Sequence, residues 1–155
     1  IGKTKYTIIR HSNIYGPHDK FDLEKSHVFG ATVTKVMEAK DKIEVWGQGK
    51  EIRDFLYIDD LIDFIKKALQ KQKNAYEIYN CGSGKPITIK ELCKLIVKIS
   101  NKNIILKFDK NKPTIPFNLY LNCNKAKKEL NWKSKTSINE GIKKTISWWR
   151  KNVKT

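Results

Sequence analysis

Two places in this sequence carry side chains that could move protons: the adjacent carboxylates Asp59-Asp60 and the histidine His27. Paired carboxyl groups can divide the roles of general acid and base, and histidine titrates near neutral pH. Both places coincide with the predicted start of a helix. Acidic side chains are favoured there because they cap backbone N–H groups, so capping is the preferred interpretation of Asp59-Asp60. Taken alone, His27 is more often a plain surface residue than a catalyst.

Other signatures of chemistry are missing from the sequence. It contains no GxGxxG, no P-loop, no GxSxG and no His/Cys cluster at metal-ligand spacing. Its cysteines, Cys81, Cys93 and Cys123, are odd in number and lack CxxC spacing. This pattern predicts neither a disulfide framework nor a zinc site, and it favours a reducing, cytoplasmic setting. No apolar run is long enough to span a bilayer, so no membrane association is predicted.

The charge balance is strongly basic, with 32 Lys+Arg against 16 Asp+Glu and a net charge of +16. Such a field attracts polyanions, and a non-catalytic module that binds nucleic acid or another polyanion is one interpretation. Almost all the basic residues are lysines, however, and only Arg10, Arg53 and Arg150 are arginines. Arginine is the better donor for planar recognition of phosphates and base edges, so nucleic-acid binding is disfavoured. An anionic small substrate would be attracted by the same field.

The elements that must position these residues alternate between strands and helices, which predicts an α/β fold. Runs rich in β-branched and aromatic residues predict strands over residues 6–10, 43–46, 55–58, 76–79 and 104–108. Apolar residues at helical spacing, with their caps, predict helices over residues 27–40, 59–69, 88–99, 124–130 and 137–149. We expect strand 6–10 to be buried, and Ile65 and Leu69 to belong to the buried stripe of the second helix.

Three helix starts have predicted caps. Thr88 with Glu91, and Ser137 with Glu140, have the spacing of a capping box. Asn124 is predicted to cap the short helix that ends near residue 130.

Four segments, taken in order, resemble the motifs of extended short-chain dehydrogenases/reductases. Residues 10–17 (RHSNIYGP) resemble RxxNxYGP, and residues 53–60 (RDFLYIDD) resemble the family's RDF…DD segment. Residues 79–92 are similar to YNxGSG…(S/T)IxEL, and residues 130–149 to LGW…EGI…W, with Asn131 where glycine is usual. The resemblance implies that residues 1–155 are the C-terminal part of an NAD(P)-binding Rossmann-type enzyme, with its smaller substrate-binding domain.

Further segments narrow the resemblance to the GDP-L-fucose synthases within that family. Residues 16–21 (GPHDKF) with 26–28 (SHV), and residues 45–49 (VWGQG), are similar to motifs of those enzymes. The loop at residues 112–116 (KPTIP) departs from the corresponding KPDGTP, which leaves the identity of the sugar open.

The resemblance also implies roles for individual residues. His27 stands at the position of the family's catalytic histidine, which moves protons next to a ketone during epimerisation. The expected substrate-binding residues are Lys35, Trp46, Arg53 and Thr114, with Arg53 on the diphosphate and Trp46 at the nucleotide. Ordinary core packing remains an alternative for Trp46.

The nicotinamide end of the NADP(H) cofactor is expected along one short segment. It comprises His11, Ser12, Asn13 and Ile14, with His11 and Ser12 replacing the family's usual Pro/Thr-type residues. Asn13 alternatively stabilises its own turn.

The function implied by the resemblance is that of an NADPH-dependent GDP-4-keto-6-deoxymannose 3,5-epimerase-4-reductase. A general NAD-dependent nucleotide-sugar 4-epimerase or 4,6-dehydratase is the alternative within the family. The chain opens at Ile1 in a strand-like run, and it lacks the family's glycine-rich loop and YxxxK helix. We therefore expect it to be a C-terminal portion that is inactive alone, and the full-length protein to be a homodimer.

Overall fold

A computed structural model describes residues 4–153 of the chain as an α/β structure. Its elements in chain order are β1 (Tyr6–His11), β2 (Asn13–Tyr15), α1 (Val28–Glu38), β3 (Lys42–Trp46), β4 (Ile52–Arg53), β5 (Phe55–Tyr57), α2 (Ile58–Lys71), β6 (Tyr76–Cys81), β7 (Ile87–Thr88), α3 (Ile89–Ser100), β8 (Ile105–Asp109), α4 (Asn124–Leu130) and α5 (Ile138–Asn152). Among these residues, no helix combines the length and apolar character needed to cross a membrane.

Parallel pairing dominates the strands. β1 pairs with β6, β2 with β5 and β3 with β8, all in parallel, whereas the short β4 and β7 are antiparallel. Parallel strands require crossover connections, and helices supply them here: α1 lies in the chain between β2 and β5, α2 between β1 and β6, and α3 between β3 and β8. The predicted α/β class is therefore confirmed.

Two hydrophobic clusters hold these layers together. The larger one packs α1, α3 and α5 against β2, β3 and β5, and includes the buried Phe29, Leu92 and Ile142. The smaller one packs α2 and α4 against β6 around Trp132, whose indole N–H donates to the Asp60 carbonyl at 3.2 Å. The larger cluster packs α1 against β3, two of the elements that surround the site described below.

The predicted burial of β1 and of the full α2 stripe was wrong. Tyr6 and Ile8 on β1 are 64% and 45% exposed, because β6 is the strand's only partner within the described residues. On α2, Phe64 and Ala68 are buried, but Leu69 is 80% exposed. The packed side of α2 is narrower than its apolar stripe, since α4 and the strands contact one edge of it.

The predicted capping box of α3 is confirmed. The Thr88 hydroxyl accepts from the Glu91 backbone N–H, and the Glu91 carboxylate accepts from the Thr88 backbone N–H. At α5 only one of the two hydrogen bonds of the predicted capping box forms. The Ser137 hydroxyl accepts from the Glu140 N–H, but the Glu140 carboxylate pairs with Lys144 at 2.9 Å.

Two other predictions about helix ends were wrong. Asn124 is the first residue of α4, and the N-cap position belongs to Cys123 without a side-chain cap. The carboxylate of Asp60 accepts from the backbone N–H groups of Lys135 and Thr136, both at 3.0 Å. Asp60 therefore anchors a distant loop to the start of α2 instead of capping its own helix.

Asn131 ends α4 in a left-handed conformation, with φ of 50°. Glycine is the usual residue there because it has no Cβ, and asparagine is the side chain that tolerates the conformation next best. Asparagine in place of the glycine of the LGW motif therefore preserves this helix end.

Candidate functional site

A cavity of about 380 Å³ lies between α1, β3, β4 and the loop at residues 113–115. Five residues assigned by resemblance to catalysis or substrate binding line it, although they are spread over nearly ninety positions of the chain: His27, Lys35, Trp46, Arg53 and Thr114. The fold therefore gathers these side chains around one space.

His27 occupies the N-cap position of α1. Its backbone is extended (φ −77°, ψ 167°), and its carbonyl accepts from the Ala31 N–H at 2.9 Å. Its imidazole makes no capping hydrogen bond, and the residue is exposed at the cavity. The backbone position of the residue is thus fixed. Within the described residues neither ring nitrogen has a hydrogen-bond partner, so both are available to a ligand.

Asp19 lies beside this histidine. Its Oδ2 is 3.5 Å from the position that a Cβ on Gly30 would take, in the first turn of α1. Burial raises the pKa of the Asp19 carboxyl, and the hydrogen bond from the Lys20 N–H and the proximity of His27 partly oppose that rise. Asp19 belongs to the GPHDKF segment but was not among the predicted site residues.

Lys35 and Trp46 face the cavity from opposite elements. The Lys35 ammonium donates to the Glu44 carbonyl at 3.0 Å, which ties α1 to β3. Trp46 is 51% exposed, so core packing does not account for it. The Lys112 ammonium lies 5.8 Å from the indole ring centroid and places a positive charge beside this aromatic surface.

Arg53 is the main anchor of the loop that borders the cavity. Its Nη1 donates to the carbonyls of Ile52, at 2.9 Å, and Phe117, while Nη2 donates to the Ile115 carbonyl at 2.9 Å. The guanidinium also lies over the Phe117 ring, 5.2 Å from its centroid. A guanidinium carries five N–H donors, so Nε–H and one Nη2–H remain for a ligand.

Thr114 approaches the cavity from that loop and contacts the turn after β3. A Cβ on Gly47 would lie 2.1 Å from the Thr114 methyl carbon, and Gly47 has φ of +75°. Both the space and the backbone conformation therefore require glycine here. The contact fixes where the shortened loop crosses the cavity mouth.

The four residues expected at the cofactor do not form one surface. Asn13 lines the cavity, and its amide donates to the Asp54 carbonyl at 3.0 Å. His11 is exposed, and Ile14 packs against the smaller hydrophobic cluster. Ser12 is buried, and its hydroxyl has no hydrogen-bond partner within residues 4–153.

Sequence reasoning missed two further polar residues that line the cavity. The Ser26 hydroxyl, next to His27, is buried and has no partner in the described part of the chain. Glu51 lies two residues before Arg53, just ahead of the RDFLYIDD segment. Both residues lie close to recognised motif residues in the sequence, and this proximity was the signal that could have identified them. No group of metal-ligating side chains occurs among the described residues.

Comparison with known proteins places this geometry in a family. Residues 2–82 match the NAD dependent epimerase/dehydratase family. The chain belongs to that family. Its members use the α/β architecture found here, which confirms the expected Rossmann-type fold class.

Several relatives of this epimerase/dehydratase family member carry the names of nucleotide-sugar enzymes. A probable GDP-L-fucose synthase 1 from Oryza sativa subsp. japonica is 36% identical over 146 residues, which is 92% of this chain and 44% of that protein. The chain spans less than half the length of the curated relatives it matches.

Solved structures of family members resemble the chain closely. UDP-glucose 4-epimerase from Thermotoga maritima, solved with UDP-glucose, has a TM-score of 0.87 and 28% identity over 97% of this chain and 47% of its own. UDP-glucuronic acid 4-epimerase from Bacillus cereus, solved with UDP-glucuronic acid and NAD, has a TM-score of 0.81 and 27% identity over 94% and 45%.

Proposed function

We propose that this chain supplies the substrate-binding part of an NADPH-dependent GDP-4-keto-6-deoxymannose 3,5-epimerase-4-reductase. The observation that carries the proposal is the cavity itself, where His27, Lys35, Trp46 and Arg53 surround one space. The space suits a ligand with a flat base, an anionic diphosphate and a sugar. The relative from rice, named as a GDP-L-fucose synthase, supports the choice of substrate.

Each side chain has a task in this proposal. The free Nε–H and Nη2–H of Arg53 hold diphosphate oxygens, and the Lys35 ammonium adds positive charge. The Trp46 indole packs against the base. His27 exchanges a proton with the carbon next to the sugar ketone on one face of the ring, which suits an imidazole, and inversion requires a second acid–base group on the opposite face.

The NADP(H) cofactor of this proposal lies near the carboxyl end of β1. Ligands of doubly wound sheets bind outside the carboxyl ends of parallel strands, and Ser12 follows β1 directly. Its buried, unpartnered hydroxyl fits a polar group placed there. When bound, the cofactor supplies hydride to the ketone. The chain's own part is to offer Ser12 and Asn13 as polar contacts, while the glycine-rich loop and YxxxK helix belong to a nucleotide-binding segment outside these residues.

A UDP-sugar 4-epimerase is the second candidate, favoured by one observation. The solved relative from Thermotoga maritima, which contains UDP-glucose, matches 97% of the chain. That candidate also uses a cavity for a nucleoside diphosphate, so the two differ in the base and in the chemistry at the sugar.

Replacing Arg53 by alanine tests the diphosphate site. We expect GDP to bind the chain about 10- to 100-fold more weakly, because charge-assisted bidentate hydrogen bonds are lost. Arg53→Lys is expected to recover little of that affinity, since lysine keeps the charge but not the planar fork. Isothermal titration of the 155-residue chain with GDP measures both.

Arg10→Ala is the matched control for this experiment. Arg10 is exposed on β1 and does not line the cavity, so its removal changes the net charge equally and should leave the affinity nearly unchanged. If both alanine variants lost GDP affinity equally, the loss would be due to the change in net charge alone. That result would contradict the assignment of Arg53 to the diphosphate.

A further inference from the structure

Glu51 places a carboxylate at one end of the cavity, next to the turn after β3. Its backbone carbonyl accepts from the Ile89 N–H at 3.0 Å, which fixes the residue at the start of α3. Its Oε1 lies 3.3 Å from the position that a Cβ on Gly47 would take. The carboxylate therefore lies beside the residue that directly follows Trp46.

This carboxylate is uncommitted. Within residues 4–153 it has neither a hydrogen-bond partner nor an ion pair, although Lys35 and Arg53 line the same cavity. Those two side chains donate to backbone carbonyls instead. An ionised carboxylate only accepts hydrogen bonds, so it repels a diphosphate and requires a ligand group that donates.

Among the parts of a nucleotide sugar, the base is the group that Trp46 and Glu51 are placed to meet together. Guanine presents N1–H and the N2 amino group side by side, a donor pair that matches the two oxygens of a carboxylate. Uracil presents one N–H between two carbonyl oxygens, which a carboxylate repels. Matched donors and acceptors on base edges are the general means of telling bases apart.

We infer that Glu51 selects guanine over uracil, its two carboxylate oxygens accepting hydrogen bonds from guanine N1–H and N2–H. The inference rests on the proposed function and specifies the nucleotide. Trp46 supplies the aromatic surface for the base, and Thr114 closes the same end of the cavity against Gly47. A site built to pair a polar group discriminates strongly, because the wrong ligand leaves that group unpaired.

The test titrates the chain with three diphosphates: GDP, UDP and IDP, whose hypoxanthine base lacks only the 2-amino group of guanine. We expect the native chain to bind GDP about 10- to 100-fold more tightly than UDP, and IDP with an intermediate affinity. In Glu51→Gln the advantage of GDP over IDP should vanish, because the amide offers one acceptor. The preference for GDP over UDP should fall at least about tenfold, since an amide can both donate to and accept from uracil.

Glu38→Gln is the matched control. Glu38 is exposed at the end of α1 and does not line the cavity, so the substitution makes the same change of charge away from the site. Its GDP-to-IDP ratio should equal that of the native chain. Binding of GDP and IDP with equal affinity by the native chain, or an unchanged ratio in Glu51→Gln, overturns the role of Glu51 and leaves the diphosphate site standing. Failure of all three diphosphates to bind overturns the proposed function and this inference with it.

Discussion

Replacing His27 by glutamine is expected to slow proton exchange at the sugar carbons next to the ketone by about 10²- to 10⁴-fold, the usual contribution of a general acid–base. Glutamine is close in size and polar, but it neither takes up nor releases a proton at neutral pH. Because His27 caps α1 through its backbone and not through its imidazole, the substitution leaves the helix start intact. The loss should therefore appear in the chemistry and not in stability.

The measurement uses the enzyme of the proposed function, in which this chain is joined to a nucleotide-binding segment, in D₂O with GDP-4-keto-6-deoxymannose and NADPH. Deuterium incorporation into the sugar reports epimerisation, and NADPH absorbance reports reduction, so the two steps separate. His18→Gln is the matched control, because its ring packs 4.6 Å from that of Trp148, away from the cavity lining. Deuterium incorporation at the native rate in the His27 variant would remove the histidine from the mechanism.

The grouping of the candidate site residues around one cavity could be predicted from sequence because these residues belong to short motifs. The His27 segment starts a helix, and the segment from Val45 to Gly49 ends a strand. Local patterns fix such elements, and the packing of α1 against β3 then brings them to the same cavity. The prediction that His27, Trp46 and Arg53 lie around one cavity thus needed one assumption: a chain with the family's segments in the family's order has the family's fold.

What the sequence could not show is which polar groups are already engaged. Arg53 donates to two loop carbonyls more than sixty positions away, and no motif records that contact. Glu51, in contrast, forms no ion pair with any lysine of residues 4–153, although basic residues outnumber acidic ones in the sequence. Hydrogen-bond partners over long separations depend on loop paths, which composition and periodicity leave undetermined.

The errors about burial have a similar origin. A helical stripe shows which residues are apolar, but the width of the packed face depends on the neighbouring elements. On α2, Phe64 contacts the buried cluster and Leu69 does not. The cap predicted at Asp60 failed because its carboxylate accepts two backbone N–H groups from a loop over seventy positions later.

Asp54→Asn is expected to lower the free energy of unfolding by about 2–4 kcal/mol. Asp54 is fully buried, and its carboxylate accepts from the backbone N–H of Ser83 at 2.9 Å and of Gly84 at 3.3 Å, and from the Ser83 hydroxyl. In the asparagine variant an amide NH₂ replaces one acceptor and meets these donors, leaving buried N–H groups unpaired. Leaving a buried N–H group unpaired costs more free energy than exchanging a protein hydrogen bond for one to water.

The position of Asp54 links this loss to the site. Its backbone carbonyl accepts from the Asn13 amide, and its chain neighbour is Arg53, so the same residue joins the expected cofactor segment, the arginine proposed to bind the diphosphate, and the Ser83 turn. Urea unfolding followed by circular dichroism measures the effect. Asp59→Asn is the matched control, because Asp59 is exposed at the start of α2 and should change stability by less than about 0.5 kcal/mol. Equal midpoints for the two variants would mean that the buried carboxylate contributes no more than a surface one. A selective loss in Asp54→Asn would show that the fold needs this acidic residue directly after Arg53, independently of any ligand.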